Sequence, residues 1–382
     1  MNRKTNIVII SVFAAFIGAF ALLLPILPDV EFSQQENRYL QRLPSFSLEA
    51  LADGDFTEDF ESYTTDQFPF RDAWTALKAR CELLTGKREN NGVYYCEDGT
   101  LITDFDAPTK ETVDRNIDYL NALVEYTDLP VYFGLIPGAG EVQASLLPKN
   151  APMDSQQTVI DWAYDRSRAV NIDIASALGA HKDEYIFYRT DHHWTSLGAY
   201  YGYTSLCEAL GLPAPSLASY DRQTVSESFY GTTYSSSGFS WVRPDVMETF
   251  VPDDGSVKVL DLSKDPPAEG PLYDTSFLEL KDKYSMFLGG NCPLRSIETG
   301  REGPSILIVR DSYSDSLAPF LLENFSRIDL IDLRYYRDSL AQYAIENGFD
   351  SILVLYSVST FSTDQNLFLL EPDILAPARE AF

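Results

Sequence analysis

Apolar residues are spaced along this chain in three ways, and each predicts a different element. The first is an unbroken run. Ile7–Leu27 is apolar apart from Ser11, Gly18 and Pro25. At 1.5 Å per residue, a helix of that length crosses a hydrocarbon core of roughly 30 Å. The second is a spacing of three and four. Ala73, Trp74, Leu77, Cys81 and Leu84 share one face of a helix over Arg71–Leu84. Val113, Ile117, Leu120, Leu123 and Val124 predict another over Glu111–Tyr126. Asp154–Val170, Leu197–Leu210, Leu317–Phe325 and Leu340–Asn347 read the same way. The third is the short continuous run of a buried strand. Pro130–Ile136, Ser305–Val309 and Ser351–Tyr356 have this form, and Ile328–Leu333 (Ile-Asp-Leu-Ile-Asp-Leu) reads as another strand. Tyr185–Tyr188 and Val257–Leu260 are shorter strand candidates, and the strand-like run Met286–Leu288 ends at Gly289-Gly290-Asn291. Asp98-Gly99, between Val93-Tyr94-Tyr95 and Leu101-Ile102, is a hairpin turn.

Strands alternating with helices predict an α/β domain, with a parallel sheet and right-handed crossovers. Ligands of such sheets bind beyond the carboxyl ends of the strands. The Gly138-Ala139-Gly140 loop lies at one such end. It lacks the G-x-G-x-x-G spacing of a dinucleotide site, so a plain turn is preferred. The organisation that follows is a stub and anchor over 1–28, a stalk and lead-in helices over 29–90, the α/β domain over 91–365 and a tail over 366–382. Residues 212–280 are rich in Ser, Thr and Tyr and poor in helical spacing. They read as a lobe inserted over the site.

Arg3 and Lys4 precede the apolar run. The positive-inside rule then places the stub in the cytoplasm and the body outside it. The run is longer than a signal-peptide core, and Pro28-Asp29-Val30-Glu31-Phe32 offers no small-x-small cleavage site. An uncleaved signal-anchor in the cell membrane is the expectation. The chain carries 57 acidic against 29 basic residues, a formal charge of −28. That surface repels nucleic acid, so no nucleic-acid partner is expected. Cys81, Cys96, Cys207 and Cys292 form no C-x-x-C pair, which argues against a structural zinc. Their disulfide pairing is left open.

There are three histidines, and two are adjacent in Tyr188-Arg189-Thr190-Asp191-His192-His193-Trp194-Thr195-Ser196. Histidine is the side chain whose ordinary pKa suits proton transfer near neutral pH. Asp191 and His193 alternate, so in an extended segment they share a face. The carboxylate then orients one ring nitrogen and leaves the other as a base. Two other readings fit: imidazoles bonded within the fold, or a metal site. The metal reading needs more ligands, and the remaining histidine is His181. The base reading needs a nucleophile. Ser312 follows the core strand Ser305–Val309 and precedes a helical run, where backbone N–H groups can hold an oxyanion. A turn or cap serine is the alternative. Ser314 and Ser316 share that turn. Gly290 and Asn291 can bring backbone and an amide close to a ligand, or form a plain turn.

Asp191-His192-His193-Trp194 resembles the signature from which the bacterial DHHW family takes its name. That family is similar to the SGNH-hydrolase-like acetyltransferases that modify alginate and other exopolysaccharides. Shorter matches are Glu36-Asn37-Arg38 before Leu43-Pro44, Asp66-Gln67-Phe68-Pro69-Phe70-Arg71, the Asp98-Gly99 turn and Asp311-Ser312-Tyr313-Ser314. The resemblance covers most of residues 35–365. It implies an SGNH-hydrolase-like three-layer fold, with Ser312 as nucleophile, His193 as base and Asp191 as the orienting group. Acid and base ahead of the serine is similar to the order in alginate acetyltransferases. Arg310 stands where the usual pattern has glycine. Asn291, with Gly290, is the weaker candidate for the oxyanion or substrate. No metal or cofactor is implied. The implied partners are an acetyl donor and an acetylated carbohydrate. The expected function is an extracytoplasmic serine esterase or O-acetyltransferase acting on cell-surface or exported polysaccharide. The alternative is a carbohydrate-binding or scaffolding protein of the envelope that keeps the fold without turnover.

Overall fold

Eight strands build the central sheet of this protein, seen in a computed structural model that describes residues 3–33 and 35–371. The strands are β1 Val131–Ile136, β2 Val170–Ile172, β3 Lys258–Asp261, β4 Ala268–Gly270, β5 Leu294–Glu298, β6 Ser305–Arg310, β7 Arg327–Ile331 and β8 Ser351–Ser357. Across the sheet they run β4-β3-β5-β7-β6-β8-β1-β2. From β7 to β2 every neighbour is parallel. β5, β3 and β4 extend the sheet antiparallel.

The parallel strands are apolar on both faces because both faces are covered. Ile306 and Ile308 of β6 point into one core, with the helices Ser196–Leu210 and Tyr313–Leu321. Leu307 and Val309 point into the other, with Lys110–Tyr126 and Gln156–Arg166. Period-two alternation on a central strand thus fixes a three-layer, helix–sheet–helix arrangement. The carboxyl ends of β6 and β8 meet in its middle.

Several expectations are redrawn. The 212–280 segment divides: Gln223–Phe229 and Asp245–Thr249 form an antiparallel pair, while β3 and β4 join the central sheet. A short connection between β3 and β4 suits antiparallel pairing, which is why the sheet is mixed rather than wholly parallel. Tyr185–Tyr188 is not a strand. Tyr188 N donates to His193 O (3.2 Å) and Thr195 N to Ile186 O (2.9 Å), so the segment folds back on itself with Asp191 in the bend. A 3-10 helix, Lys283–Met286, takes up the start of the run Met286–Leu288 that was expected to be strand-like. β5 was hidden because it buries Arg295 and Ser296 among its apolar residues. Ser296 Oγ donates to Asp329 Oδ1 of β7 (2.5 Å). Of the tail, Leu367, Leu369 and Leu370 are core residues, and 372–382 lie outside the described residues.

The protein forms two compact units, the smaller made of residues 3–33 and 35–91 with Tyr234–Trp241. Within that smaller unit Arg3–Leu23 is a helix with no buried residue, ending just before Pro25. Two sequence motifs meet there. Arg38 donates through both terminal nitrogens to Asp66 (2.8 and 2.5 Å), and Arg71 pairs with Glu36 at 2.7 Å. Gln67 accepts from Val30 N and donates to Gln41 O. The Glu-Asn-Arg and Asp-Gln-Phe-Pro-Phe-Arg stretches therefore hold one another, and their place is structural. All four cysteines are free thiols.

Candidate active site

The Asp191–His193 bend and the end of β6 come together across 119 residues of sequence. His193 Nε2 lies 2.7 Å from Ser312 Oγ, and His193 Nδ1 lies 2.6 Å from Asp191 Oδ1. Ser312 is half-buried, while Asp191 and His193 are buried. Ser312 precedes the helix Tyr313–Leu321 but caps no helical N–H, so its hydroxyl is directed at the imidazole. Its backbone is ordinary (φ −64°, ψ −13°). Arg310 shows no left-handed backbone either, so no glycine is required there. The Arg310 side chain runs beneath the turn, fully buried, and its guanidinium pairs with Asp315 at 3.1 Å. Burial pushes the Asp315 carboxyl up, to about 6, against the opposing pull of Arg310.

Four donors hold the Asp191 carboxylate. His193 N (3.0 Å) and His193 Nδ1 reach Oδ1. Thr232 N (2.8 Å) and Thr232 Oγ1 (3.0 Å) reach Oδ2. Burial works to raise the pKa of Asp191. The charges of His193 and then His192, with the His193 hydrogen bonds, override it and hold the carboxyl well below the usual range. The bend itself is fixed one step earlier. Asp245 accepts from Arg189 N (3.0 Å) and Thr190 N (2.8 Å).

The remaining motif residues have separate tasks. Trp194 is fully buried, and its indole N–H donates to Tyr313 O (3.0 Å) and Ser316 Oγ (2.9 Å). It latches the bend to the helix that follows Ser312. Tyr313 OH donates to His192 O, closing a second latch. The Asp311 side chain accepts from Tyr313 N (3.1 Å) and from Ser357 N (2.8 Å) at the end of β8, and so seats the serine turn.

Sequence reasoning missed several residues. Tyr284 stacks on the His193 ring, with centroids 3.8 Å apart and planes 9° apart, and donates to Ser312 O (3.0 Å). Thr232 and Asp245 come from the Ser/Thr/Tyr-rich stretch, which has no periodicity to mark them. Gly290 and Asn291 make no hydrogen bond to Asp191, His193 or Ser312 among the described residues. Their bonds run to Arg295 and Arg334 (3.4 Å each). The 3-10 turn before them presents Tyr284 to the serine instead. His181 pairs with Glu184 (2.7 Å). Ligand atoms of Asp191, His192 and His193 lie within 4.8 Å of one another. Asp191 is already fully engaged by its four donors and His193 by Asp191 and Ser312, which does not suit metal coordination.

An SGNH-hydrolase-like α/β fold with an acid–imidazole–serine chain at the carboxyl edge of its sheet is the class of protein these features define. The chain belongs to the DHHW protein family, whose model matches residues 126–331. It is similar to a solved DHHW family protein from Eubacterium siraeum, with 25% identity and a TM-score of 0.62 over 74% of this chain and 95% of that one. PatB1 of Bacillus cereus, solved with a sulfonyl adduct, shares the fold at 17% identity, with a TM-score of 0.61 over 73% of this chain and 98% of that one. A Pseudomonas aeruginosa protein named a probable alginate O-acetylase, AlgJ, is 25% identical over 173 residues, 42% of this chain. The chain spans less than half the length of that relative, 44% of it.

Proposed function

We propose that this protein is a serine O-acetyltransferase or acetyl esterase acting on polysaccharide outside the cytoplasm, held to the membrane by the helix Arg3–Leu23. The observation that carries this reading is the unbroken hydrogen-bonded chain from Asp191 through His193 to Ser312. Ser312 Oγ attacks the carbonyl carbon of an acetyl ester while His193 Nε2 takes its proton. The leaving alcohol departs with that proton, and an acetyl group stays on Ser312. A second hydroxyl, from water or a sugar, then attacks and regenerates the serine. Asp191 keeps the His193 proton on Nδ1, so that Nε2 faces Ser312 as a base. Among the described residues Ser312 N donates to no acceptor. It is the backbone donor for the negative oxygen of the tetrahedral intermediate. The ring face of Tyr284 shields the His193 ring that becomes cationic. Similarity to a protein named a probable alginate O-acetylase supports polysaccharide as the substrate class.

Incubating the full chain in detergent micelles with 4-nitrophenyl acetate is expected to give a burst of nitrophenol. Peptide mapping should then find the acetyl group on the Ser312 peptide. Its presence on another residue, or no burst at all, would sink the assignment.

Gly231 supplies a second check. A Cβ there would lie 2.1 Å from Asp191 Oδ2 and 2.2 Å from Asp191 Cβ. The pinned carboxylate cannot yield without leaving His193. Gly231→Ala is expected to lower kcat about 10²-fold, the scale of a 1 Å misplacement. Steady-state kinetics with the same ester tests it, and a loss under threefold would count against the role given to Asp191.

A further inference from the structure

His192 stands beside the base with one nitrogen uncommitted. Thr232 Oγ1 donates to Asp191 Oδ2 (3.0 Å), since a carboxylate only accepts. The hydroxyl has one proton, so at its 2.6 Å contact with His192 Nδ1 the imidazole is the donor. A neutral imidazole protonated on Nδ1 carries its lone pair on Nε2. Partial burial, then the charge of His193, lower the His192 pKa below the ordinary imidazole value, so the ring is neutral near pH 7. Among the described residues Nε2 has no hydrogen-bond partner, and 44% of the side chain is exposed.

The two rings lie against each other, with centroids 3.9 Å apart and planes tilted by 36°. Both Nδ1 atoms are on the Asp191 side, 3.9 Å (His192) and 2.6 Å (His193) from Oδ1. His193 Nε2 is turned to Ser312, while the adjoining His192 ring commits Nδ1 to Thr232 and leaves its own Nε2 open. Once Ser312 is acetylated its Oγ has no proton to give, and the Nε2 lone pairs of both neighbouring rings are then open.

We propose that His192 Nε2 and His193 Nε2 form a subsite for a vicinal diol, the group a sugar ring presents. This rests on the acyl-transfer reading above. In the second half-reaction one hydroxyl oxygen attacks the acetyl carbon on Ser312. Its proton passes to His193 Nε2, the carbon–Oγ bond breaks, and Ser312 Oγ takes the proton back. The neighbouring hydroxyl donates a hydrogen bond to His192 Nε2 and sets the angle of attack. A monohydric alcohol spends its only proton on His193 and leaves His192 unpaired. Acceptor sugars with two adjacent free hydroxyls are thus selected over isolated ones.

The test uses the full chain in micelles with 4-nitrophenyl acetate as donor. cis-1,2-Cyclohexanediol and cyclohexanol are compared as acceptors at equal concentration. Acetyl ester formed is read per nitrophenol released, so the rate of acylation drops out. Wild-type protein is expected to favour the diol by about tenfold or more, because a site built for a hydroxyl discriminates against its absence. His192→Phe should cut the preference to about twofold, the statistical ratio of two hydroxyls to one. His192→Gln, which keeps an acceptor oxygen, should retain most of it. An equal preference in wild type and His192→Phe overturns the proposal, as does a loss in His192→Gln as complete as in His192→Phe. Absence of a nitrophenol burst in wild type overturns the serine-enzyme reading itself, and the two failures are told apart by that burst.

Discussion

Ser312→Ala is expected to lower kcat on 4-nitrophenyl acetate by about 10⁴-fold or more, the cost of removing the nucleophile from a serine–histidine–acid unit. The loss should be almost purely chemical. The hydroxyl of Ser312 caps no helix, so the methyl side chain leaves no helix end unsatisfied. The backbone at this residue is right-handed and suits alanine. Tyr284 bonds the Ser312 carbonyl, and Asp311 bonds Tyr313 N and Ser357 N, so the turn is held by groups the substitution leaves in place. Thermal denaturation of the variant should therefore stay within a few degrees of wild type. Turnover within tenfold of wild type would exclude Ser312 as the nucleophile.

Asp191→Asn is expected to cost about 10⁴-fold in kcat, for a different reason. The aspartate accepts from four donors, two on each oxygen. An amide has one oxygen and one NH₂ group. If the NH₂ faces His193, Nδ1 must accept, the ring proton moves to Nε2, and the base can no longer take a proton from Ser312. If the NH₂ faces Thr232, it meets the Thr232 backbone N–H, which then loses its acceptor. The pKa of Asp191 lies well below the usual range, so the carboxylate stays charged throughout mildly acidic pH, and the acid limb of activity does not belong to it. Single-turnover acetylation of Ser312 measures the loss directly. A variant retaining a tenth of the wild-type rate would show that orientation of His193 does not depend on this carboxylate.

The parts of this site that were legible in the sequence are those that obey a local rule. Asp191 and His193 are two residues apart, and Ser312 follows an apolar strand. The helix after Thr195 begins where a capping residue predicts, with Thr195 Oγ1 accepting from Gly198 N. The fold was legible for a similar reason, since β1, β6 and β8 are nearly continuous apolar runs. What escaped depends on contacts between distant segments. Tyr284 and Thr232 sit in turn-rich sequence and matter only because folding places them against His193 and Asp191. Asn291 looked promising through its two preceding glycines, yet those glycines serve a turn whose useful side chain comes earlier. β3 and β4 were read as part of an inserted lobe, although Val257–Leu260 was legible as a strand, because short antiparallel strands carry little periodic signal.

The position of β8 sets the timing of this chemistry. β8 pairs with β6, which carries the serine turn, and with β1, which was made before the Asp191 bend. Its terminal amide also grips Asp311. A growing chain acquires acid and base first, nucleophile second, and the strand that joins the two halves only at Ser351–Ser357. Until that strand enters, the Trp194 and Tyr313 latches alone join the bend to the serine turn, and Asp311 lacks its Ser357 partner. A chain that stops short of Ser357 is thus expected to hold its serine turn less firmly and to react more slowly with esters than one that has formed β8.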